Sequence, residues 1–375
     1  MQFRDLHAQY EALEPEINAG IQAVIQSSAF ILGKSVTELE NQLAEYAGRR
    51  HCIGVASGTD ALVLSLKVNN VKAGDAVFVP DFTYIASASC ASLVGATPVF
   101  VDIDLNTFNM CPQALEAAIE RTLREGKLTP KAVIPVDLFG LPADFEQINK
   151  VAEKYGLFVL EDAAQGFGGR IGHKKACSFG CISATSFFPA KPLGGYGDGG
   201  AVFTDDDAIA ERLRSLRAGG KSATDKYDNR EIGYNSRLDS LQAAILLPKF
   251  KAFREYELEA VNKAAEKYSS ALKEKVRTPV VPKGYYSSWA QYTVLLNSKE
   301  ERDALQAALK AKNIPSMIYY PRGMHQQACF ADRKLGSEFY PHTVQATQRV
   351  LSLPIHPYFK EEDQELVIET VLNTL

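Results

Sequence analysis

The segment Leu157-Phe-Val-Leu-Glu-Asp162 is a short, continuous apolar run that ends in two carboxylates. Apolar runs of this length predict strands that are buried on both faces of a sheet. Similar runs precede it at 52–56, 76–80, 98–102 and 132–137. Amphipathic stretches that predict helices separate these runs, at 59–67, 85–94, 112–124 and 144–155. The alternation predicts an α/β fold with a mostly parallel sheet covered by helices.

The pattern changes after residue 181. A strand is predicted at 182–188, a loop rich in Pro and Gly follows, and another strand is predicted at 201–204. Long helical patterns then dominate from 238 to 272, before a last predicted strand at 290–296 and two helices. A chain of 375 residues is long enough for about two domains. We therefore expect a large domain over 1–250, with an N-terminal helical segment, and a smaller α+β domain over 251–375.

Composition disfavours several classes of protein. With 46% hydrophobic residues the chain is too apolar for disorder, and its apolar stretches are too short for a membrane span. A net charge of −4, with Lys and Arg dispersed, disfavours nucleic acid as a partner. The six cysteines show neither a disulfide framework nor the spacing of metal ligands. Because no signal peptide is recognisable, we expect a cytoplasmic protein with reduced thiols and no metal.

One lysine stands out by its surroundings. Lys191 lies between Pro189 and Pro192, and five glycines follow between positions 194 and 200. Such a loop can hold a side chain in one place and allow close approach of a flat ligand. A lysine shielded from water loses its charge easily and becomes a nucleophilic amine. Taken alone, the pattern is more typical of a surface lysine in a turn.

Polar residues end the predicted strands, where ligands of open α/β sheets bind. Asp102, Asp137 and Asp162 all fit this pattern. Within Glu161-Asp-Ala-Ala-Gln165, the Asp162 carboxylate could stabilise a protonated ring nitrogen, and Gln165 could hydrogen-bond a ring substituent. An ordinary strand-end cap is an equally good interpretation of this segment alone.

Two further segments complete a candidate binding site. Ser57-Gly-Thr-Asp-Ala-Leu62 places Gly58 and Thr59 at a predicted helix N-terminus, which favours a phosphate, although a plain helix cap gives the same pattern. Tyr84, after another predicted strand, could stack on an aromatic ligand or belong to the core. Ser186, five residues before Lys191, adds a hydroxyl. Together these segments supply what pyridoxal 5′-phosphate (PLP) requires at its phosphate, ring, pyridine nitrogen and aldehyde.

The sequence resembles the DegT-type sugar aminotransferases, which are fold-type I PLP enzymes acting on nucleotide-linked keto sugars. The resemblance covers essentially the whole chain and rests on an ordered set of segments. These segments are Phe30-Ile-Leu-Gly33, Ser57-Gly-Thr-Asp-Ala-Leu62, Val136-Asp-Leu-Phe-Gly140, Glu161-Asp-Ala-Ala-Gln165, Ser186-Phe-Phe-Pro-Ala-Lys191, Gly197-Asp-Gly-Gly200, Gly233-Tyr-Asn-Ser-Arg-Leu238 and Ser352-Leu-Pro-Ile-His-Pro357.

The resemblance implies a role for each candidate residue around the cofactor. Lys191 would form the covalent link to PLP, Asp162 would pair with the pyridine nitrogen, and Gln165 would bond the ring hydroxyl. Tyr84 would stack on the ring, and the phosphate would be held by Gly58, Thr59 and Ser186.

The resemblance also implies a homodimer with shared active sites. Asn235 would reach the phosphate in the neighbouring subunit, and Arg237 would bind a substrate carboxylate, that of L-glutamate. An interface or helix-start salt bridge is the less favoured alternative for Arg237.

The sugar side is implied by resemblance as well. The positions that line the nucleotide-sugar pocket would be Ser28, Phe30, Tyr319, Tyr320 and His325. In relatives that act on a keto hexuronic acid, the position of Tyr319 is usually His and that of Ala190 is usually Ser. Both departures count against a uronic acid substrate and leave a neutral keto sugar, such as a 6-deoxy sugar, open. The segment Gly195-Tyr-Gly-Asp-Gly-Gly200 is more similar to the corresponding segment of enzymes that aminate sugar carbon C3 than to that of C4-aminating enzymes. We therefore expect amination at C3, with C4 as the alternative.

Three other functions compete with this interpretation. An NAD-dependent dehydrogenase is disfavoured, because Gly166-Phe-Gly168 is not part of a G-x-G-x-x-G motif that opens a helix. A PLP-fold dehydratase typically has His at the position of Lys191. A PLP-fold protein without transaminase activity, acting as a sensor or scaffold, stays as an alternative that the presence of Lys191 disfavours.

Overall fold

The computed structural model describes residues 1–222, 225, 227–333 and 336–375. Its α-helices are α1 (Leu6–Ser27), α2 (Lys34–Ala47), α3 (Gly58–Val68), α4 (Ala86–Leu93), α5 (Pro112–Glu125), α6 (Phe145–Tyr155), α7 (Asp207–Leu216), α8 (Ser240–Ala252), α9 (Leu258–Leu272), α10 (Lys299–Ala311), α11 (Pro341–Arg349) and α12 (Glu361–Thr374). Its strands are β1 (His51–Val55), β2 (Asp75–Pro80), β3 (Thr97–Val101), β4 (Thr129–Val133), β5 (Phe158–Asp162), β6 (Arg170–Ile171), β7 (Lys174–Lys175), β8 (Ile182–Ser186), β9 (Gly200–Thr204), β10 (Tyr285–Tyr286), β11 (Tyr292–Leu295) and β12 (Val350–Leu353).

A seven-stranded sheet in the order β1-β9-β8-β5-β4-β2-β3 forms the centre of the fold. The strands from β8 to β3 are parallel, whereas β9 runs antiparallel to both of its neighbours. Alternate residues of β2 enter cores on opposite faces, with Val77 and Val79 on one side and Ala76 and Phe78 on the other. Burial on both faces explains the continuous apolar runs and confirms the predicted mixed sheet covered by helices.

The C-terminal part has a core of its own. The antiparallel pair β11 and β12 packs with α9, α10 and α12 around Tyr268, Tyr292 and Leu353, among other residues. Between α8 and α9 the helix continues through a π-helical turn at Phe253–Glu257. The predicted boundary near residue 250 falls at this turn and stays a prediction.

The structure differs from the sequence-based expectations in several elements. The predictions do not include the short strands β6, β7 and β10, nor α11 and β12. Two further differences have a clear physical reason. Strand β4 ends at Val133 instead of Asp137, since Pro135 has no N–H for the ladder, and Val136 keeps only a single bridge to Asp162. Helix α7, which we did not predict, begins after Asp206, whose carboxylate accepts hydrogen bonds from the N–H groups of Ala208 and Ile209. No helix in the described ranges is both long enough and apolar enough to cross a membrane.

Candidate active site

A cavity of ≈ 790 Å³ opens at the carboxyl ends of the central strands. The strand register brings together the ends of β1, β5 and β8, at Val55, Asp162 and Ser186, and the start of β9 at Gly200. The cavity wall contains seven cofactor-site residues predicted from the sequence: Gly58, Thr59, Tyr84, Asp162, Gln165, Ser186 and Lys191. Tyr319 and Tyr320, from the C-terminal part, close the opposite side.

The N-terminus of α3 forms one end of the cavity. Ser57 caps the helix, because its side chain accepts a hydrogen bond from the N–H of Asp60 at 3.1 Å. The first N–H groups of a helix lack carbonyl partners within the helix, and with the helix dipole they favour an anion. A Cβ at Gly58 would lie 2.6 Å from the Cβ of Ser186, so only glycine lets α3 begin this close to β8. This end of the cavity suits a phosphate group.

Asp162 is a buried carboxylate that forms no ion pair with the described residues, although the charge of Lys191 acts on it. It is 4% exposed, and it accepts hydrogen bonds from Ser87 Oγ at 2.7 Å and from the N–H of Ala164 at 3.1 Å. Burial raises the pKa of Asp162, while these two hydrogen bonds and the charge of Lys191 oppose the increase. A protonated ring nitrogen placed beside it would stabilise the carboxylate and be stabilised in turn.

A tightly folded loop presents Lys191 to the cavity. The N–H of Lys191 donates to the carbonyl of Phe188 at 2.9 Å. The N–H of Gly195 donates to the carbonyl of Phe187 at 2.7 Å. A Cβ at Gly194 would lie 2.3 Å from the carbonyl oxygen of Pro189, which explains the need for glycine there. Burial lowers the pKa of Lys191, although Asp162 opposes this effect. The amine is therefore easier to deprotonate than an exposed lysine, as a nucleophile requires.

Gln165 is held by two hydrogen bonds. Its Oε1 accepts from the N–H of Phe139 at 2.9 Å, and its Nε2 donates to the hydroxyl of Tyr320 at 3.0 Å. Burial raises the pKa of Tyr320, so its hydroxyl stays protonated and can donate to a further acceptor. The sequence-based expectation assigns Tyr320 to the sugar pocket, whereas in the structure its hydroxyl contacts Gln165, the proposed partner of the ring hydroxyl.

The remaining predicted site residues lie away from the cavity of their own chain. Ser28, Phe30 and Asn235 are exposed and Arg237 is partly exposed, and none of the four is part of the cavity wall. His325 lies outside the wall as well. Its Nδ1 is 2.6 Å from an Asp81 carboxylate oxygen, and its ring stacks on another aromatic side chain. This pairing fixes the loop that carries part of the wall and leaves the proposed role of His325 in sugar binding without direct support.

Of the three strand-end carboxylates, only Asp162 reaches the cavity wall. Asp102 accepts hydrogen bonds from the N–H groups of His342 and Thr343, which anchors the start of α11 to the large sheet. Sequence reasoning also missed Ser87, which orients Asp162 from α4, because a serine in a small-residue helix carries no distinguishing signal.

Asp137 and Glu161 form a buried carboxyl pair behind the cavity. Glu161 accepts hydrogen bonds from the N–H groups of Cys177 and Phe179 and from Ser183 Oγ, at 2.6, 2.8 and 2.7 Å. Asp137 accepts one bond, from the N–H of Ala143, and its Oδ2 has no donor in the described part of the chain. Burial, followed by the charge of Glu161, raises the pKa of Asp137 well above its usual value. Of the two carboxyls, Asp137 has fewer hydrogen-bond donors and is therefore the one more easily protonated.

Replacement of Asp137 by Asn tests whether Asp137 is protonated. The pKa of Asp137 is raised in the folded state, so the protonated carboxyl is the form that the fold tolerates. Its contribution to stability is complete below the pKa of the unfolded chain, about 4, and is lost as the pH rises toward the pKa of the folded protein. Asn has no charge to lose, so the Tm of Asp137→Asn relative to the unchanged protein should increase from about pH 4 to about pH 7. Thermal unfolding at both pH values measures this difference. A difference that does not vary with pH would mean that Asp137 is ionised when folded.

The fold and the cavity together define the class of the protein. A phosphate site at a helix N-terminus, an anion for a ring nitrogen and a desolvated lysine converge at the strand ends of one sheet, and these residues fit PLP. NtdA from Bacillus subtilis, solved with bound cofactor PMP, is 26% identical with a TM-score of 0.87, over 97% of this chain and 82% of that one. The chain is a PLP-dependent enzyme of fold type I.

The chain belongs to the DegT/DnrJ/EryC1/StrS aminotransferase family, whose model matches residues 11–372. It is 43% identical, over the full length of both chains, to a UDP-2-acetamido-2-deoxy-3-oxo-D-glucuronate aminotransferase of Pseudomonas aeruginosa. It is 42% identical to a UDP-N-acetyl-3-dehydro-alpha-D-glucosamine 3-aminotransferase of Acidithiobacillus ferrooxidans, over 99% of this chain and 97% of the relative. A DegT DnrJ EryC1 StrS aminotransferase from Brucella abortus superposes with a TM-score of 0.96 at 47% identity, covering 100% and 99% of the two chains. The protein is a sugar aminotransferase.

Proposed function

We propose that the protein transfers the amino group of L-glutamate to C3 of a neutral keto sugar linked to a nucleotide. One observation carries the proposal: Lys191 and Asp162 face the same cavity of ≈ 790 Å³, which is large enough for a cofactor and a sugar. The two curated relatives described above are both named for 3-keto sugar substrates. The amino sugar would be used in cytoplasmic steps of a biosynthetic pathway. The product of that pathway would be a surface polysaccharide such as lipopolysaccharide, another glycan or a natural product.

The chain's own residues divide the work at the reacting centre. PLP, when bound, supplies an aldehyde that accepts the amino group and a ring that accepts electrons. The Lys191 amine would act as the base that takes a proton from the amino-acid carbon and then as the acid that returns it. The Asp162 carboxylate would hold the ring nitrogen in its protonated form, in which the ring withdraws electrons. The phosphate would be held by the N-terminus of α3 with Thr59 and Ser186, and Tyr84 would support the ring face.

The cavity wall supports a neutral sugar. Among the described residues, Lys191 is the one basic side chain in that wall. The resemblance adds that Tyr319 stands where relatives acting on uronic acids usually have His. A sugar carboxylate would therefore meet no basic side chain of this wall apart from Lys191. This favours a substrate like the N-acetylglucosamine derivative of the Acidithiobacillus relative over a glucuronate.

Surface exposure supports a homodimer with shared active sites. Phe30, Ile31 and Leu32 are 45, 50 and 38% exposed and form a contiguous apolar patch, which is typical of an interface. Asn235 is exposed, and its backbone forms an isolated β-bridge with Ala218. It is not part of the wall of the cavity in its own chain. Both features agree with residues that complete the site of a second copy, where Arg237 would receive the carboxylate of glutamate.

A spectral titration followed by a substrate panel tests the proposal. Glutamate added to the PLP-loaded protein should convert the aldehyde form of the cofactor to the amine form, seen by absorbance. Neutral 3-keto nucleotide sugars should then restore the aldehyde form faster than 4-keto sugars or 3-keto uronic acids. Preference for a 4-keto sugar would overturn the assignment to C3. PLP bound without any amino exchange would instead support a sensor or scaffold.

A further inference from the structure

A buried carboxylate at the end of β2 holds a segment that completes the cavity wall. The segment 321–329, which we call the wall segment, follows Tyr320 in the C-terminal part. Four of its residues belong to the wall of the cofactor cavity: Pro321, Met324, Gln327 and Cys329. Asp81 directly follows β2, is 0% exposed and is not itself part of the cavity wall. It contacts the wall segment from the carboxyl end of the large sheet.

Three short contacts join Asp81 to the wall segment. The backbone carbonyl of Asp81 accepts a hydrogen bond from the N–H of Met324 at 2.7 Å. Its carboxylate oxygen Oδ1 accepts a hydrogen bond from the N–H of His325 at 2.8 Å. The other carboxylate oxygen, Oδ2, lies 2.6 Å from Nδ1 of the His325 ring. Asp81 therefore fixes two consecutive residues of the wall segment, of which Met324 lines the cavity.

Asp81 is itself fixed within the large sheet. Its N–H donates to the carbonyl of Val101, the last residue of β3, at 2.8 Å. Beyond Asp81 the chain continues into Thr83 and Tyr84, which are part of the cavity wall as well. Asp81 thus sets the position of the wall segment relative to the residues around the cofactor.

The wall segment suits an uncharged part of a substrate. Its four wall residues include no Lys, Arg, His, Asp or Glu. Arg322 is exposed and outside the wall, and the ring of His325 is paired with Asp81 and stacked on Tyr340 at 4.7 Å between centroids. A carboxylate of glutamate would therefore find no cationic partner among these four residues. The cavity of ≈ 790 Å³ is much larger than an amino acid requires, which leaves the space beside the wall segment for a nucleotide-linked sugar.

We propose that Asp81 is a positioning residue for the sugar half of the reaction, because it holds the wall segment where the keto sugar is recognised. Asp81 acts through Met324 and its neighbours, and a small displacement of such residues is enough to weaken a productive fit. Glutamate reacts beside Lys191, so its half of the reaction should not depend on the position of the wall segment. The inference rests on the proposed function, in which one cavity receives glutamate first and a keto sugar second.

A set of three variants separates this role from a general contribution to stability. Asp81→Ala removes both side-chain contacts and keeps the backbone bond to Met324. Asp81→Asn keeps the shape of the side chain and an acceptor for the N–H of His325. Asp102→Ala is the matched control, because Asp102 follows β3 and likewise accepts hydrogen bonds from the C-terminal part, at the start of α11. None of the residues of α11 lines the cofactor cavity.

The two halves of the reaction are measured separately on the PLP-loaded protein by the absorbance of the cofactor. One half uses glutamate, and the other uses the keto nucleotide sugar that the unchanged protein accepts best. In Asp81→Ala the sugar concentration for half-maximal rate should increase about tenfold, while the rate with glutamate stays within about twofold. Asp81→Asn should recover much of this loss, and Asp102→Ala should need nearly the same sugar concentration as the unchanged protein.

Hydrogen–deuterium exchange of the cofactor-free protein provides a measurement without turnover. The peptide that contains the N–H groups of Met324 and His325 should exchange several-fold faster in Asp81→Ala and at the normal rate in Asp102→Ala. Unchanged exchange in Asp81→Ala, equal losses in both halves of its reaction, or an equal effect of Asp102→Ala on the sugar would overturn the proposal.

The outcome is independent of the assignment to C3. Because the unchanged protein selects the sugar, a preference for a 4-keto sugar would overturn that assignment and leave the role of Asp81 to be decided by the same measurements. Circular dichroism confirms that each variant is folded. If Asp81→Ala is not, His325→Phe replaces it, since this variant removes Nδ1 but keeps an aromatic ring against Tyr340, and the same effect on the sugar is expected.

Discussion

Replacement of Lys191 by Ala should abolish amino transfer and leave the fold intact. The variant loses both the covalent attachment point and the group that moves the proton, so we expect a decrease in turnover of at least about 10³-fold. The loop should survive, because the hydrogen bond to Phe188 uses the backbone N–H of residue 191, which alanine retains. Turnover with glutamate and a keto sugar measures the first effect, and thermal unfolding measures the second.

Lys174→Ala is the matched control for this prediction. Lys174 is an exposed lysine on β7 and lies outside the cavity wall, so its removal changes the net charge equally without touching the site. The control should transfer amino groups at the normal rate. Near-normal turnover by folded Lys191→Ala would reject the assignment of Lys191.

Asp162→Asn should reduce turnover more than it reduces cofactor retention. Asparagine has nearly the same shape and can still accept a hydrogen bond from Ser87, but it has no negative charge to keep the ring nitrogen protonated. Removal of an electrostatic group aimed at the reacting system typically costs about 100-fold or more in rate. The phosphate site at the start of α3 and the link to Lys191 are unchanged, so most of the cofactor should stay bound after dialysis.

Ser87→Ala separates charge from hydrogen bonding at the same carboxylate. This variant removes the 2.7 Å bond to Asp162 but leaves the carboxylate itself. Its loss of turnover should be clearly smaller than that of Asp162→Asn. The readout is the rate of a single turnover in which glutamate converts the cofactor to its amine form. If Asp162→Asn and the unchanged protein show equal rates, Asp162 has no electronic role.

The sheet could be predicted from the sequence because its strands are buried on both faces. Continuous apolar runs such as Ala76–Pro80 are required by that environment. Their predicted bounds differ by at most about one residue from those of β1, β2, β3 and β5, whereas β4 begins and ends earlier than predicted. The exception at Pro135 follows from its missing N–H, a signal that was available in the sequence. The amphipathic pattern of α7 was also available, with Asp206 as its cap.

The cavity residues of the large domain could be predicted because strand ends and a helix start converge by topology. The register of β5, β8 and β9 and the start of α3 bring Asp162, Ser186 and Gly58 together. Parallel strands end at the same edge of the sheet, so residues at their carboxyl ends meet there. The partners of His325 and Asp102 could not be predicted, since they depend on how the C-terminal part packs against the large sheet.

Mapping the attachment point of the cofactor tests the role of Lys191 most directly. The purified protein is loaded with PLP, reduced with borohydride, digested and analysed by mass spectrometry. We expect a single modified peptide, carrying the phosphopyridoxyl group on Lys191. Modification of Lys249 instead, a buried lysine whose pKa is lowered to about 7, or no modification at all, would contradict the assignment.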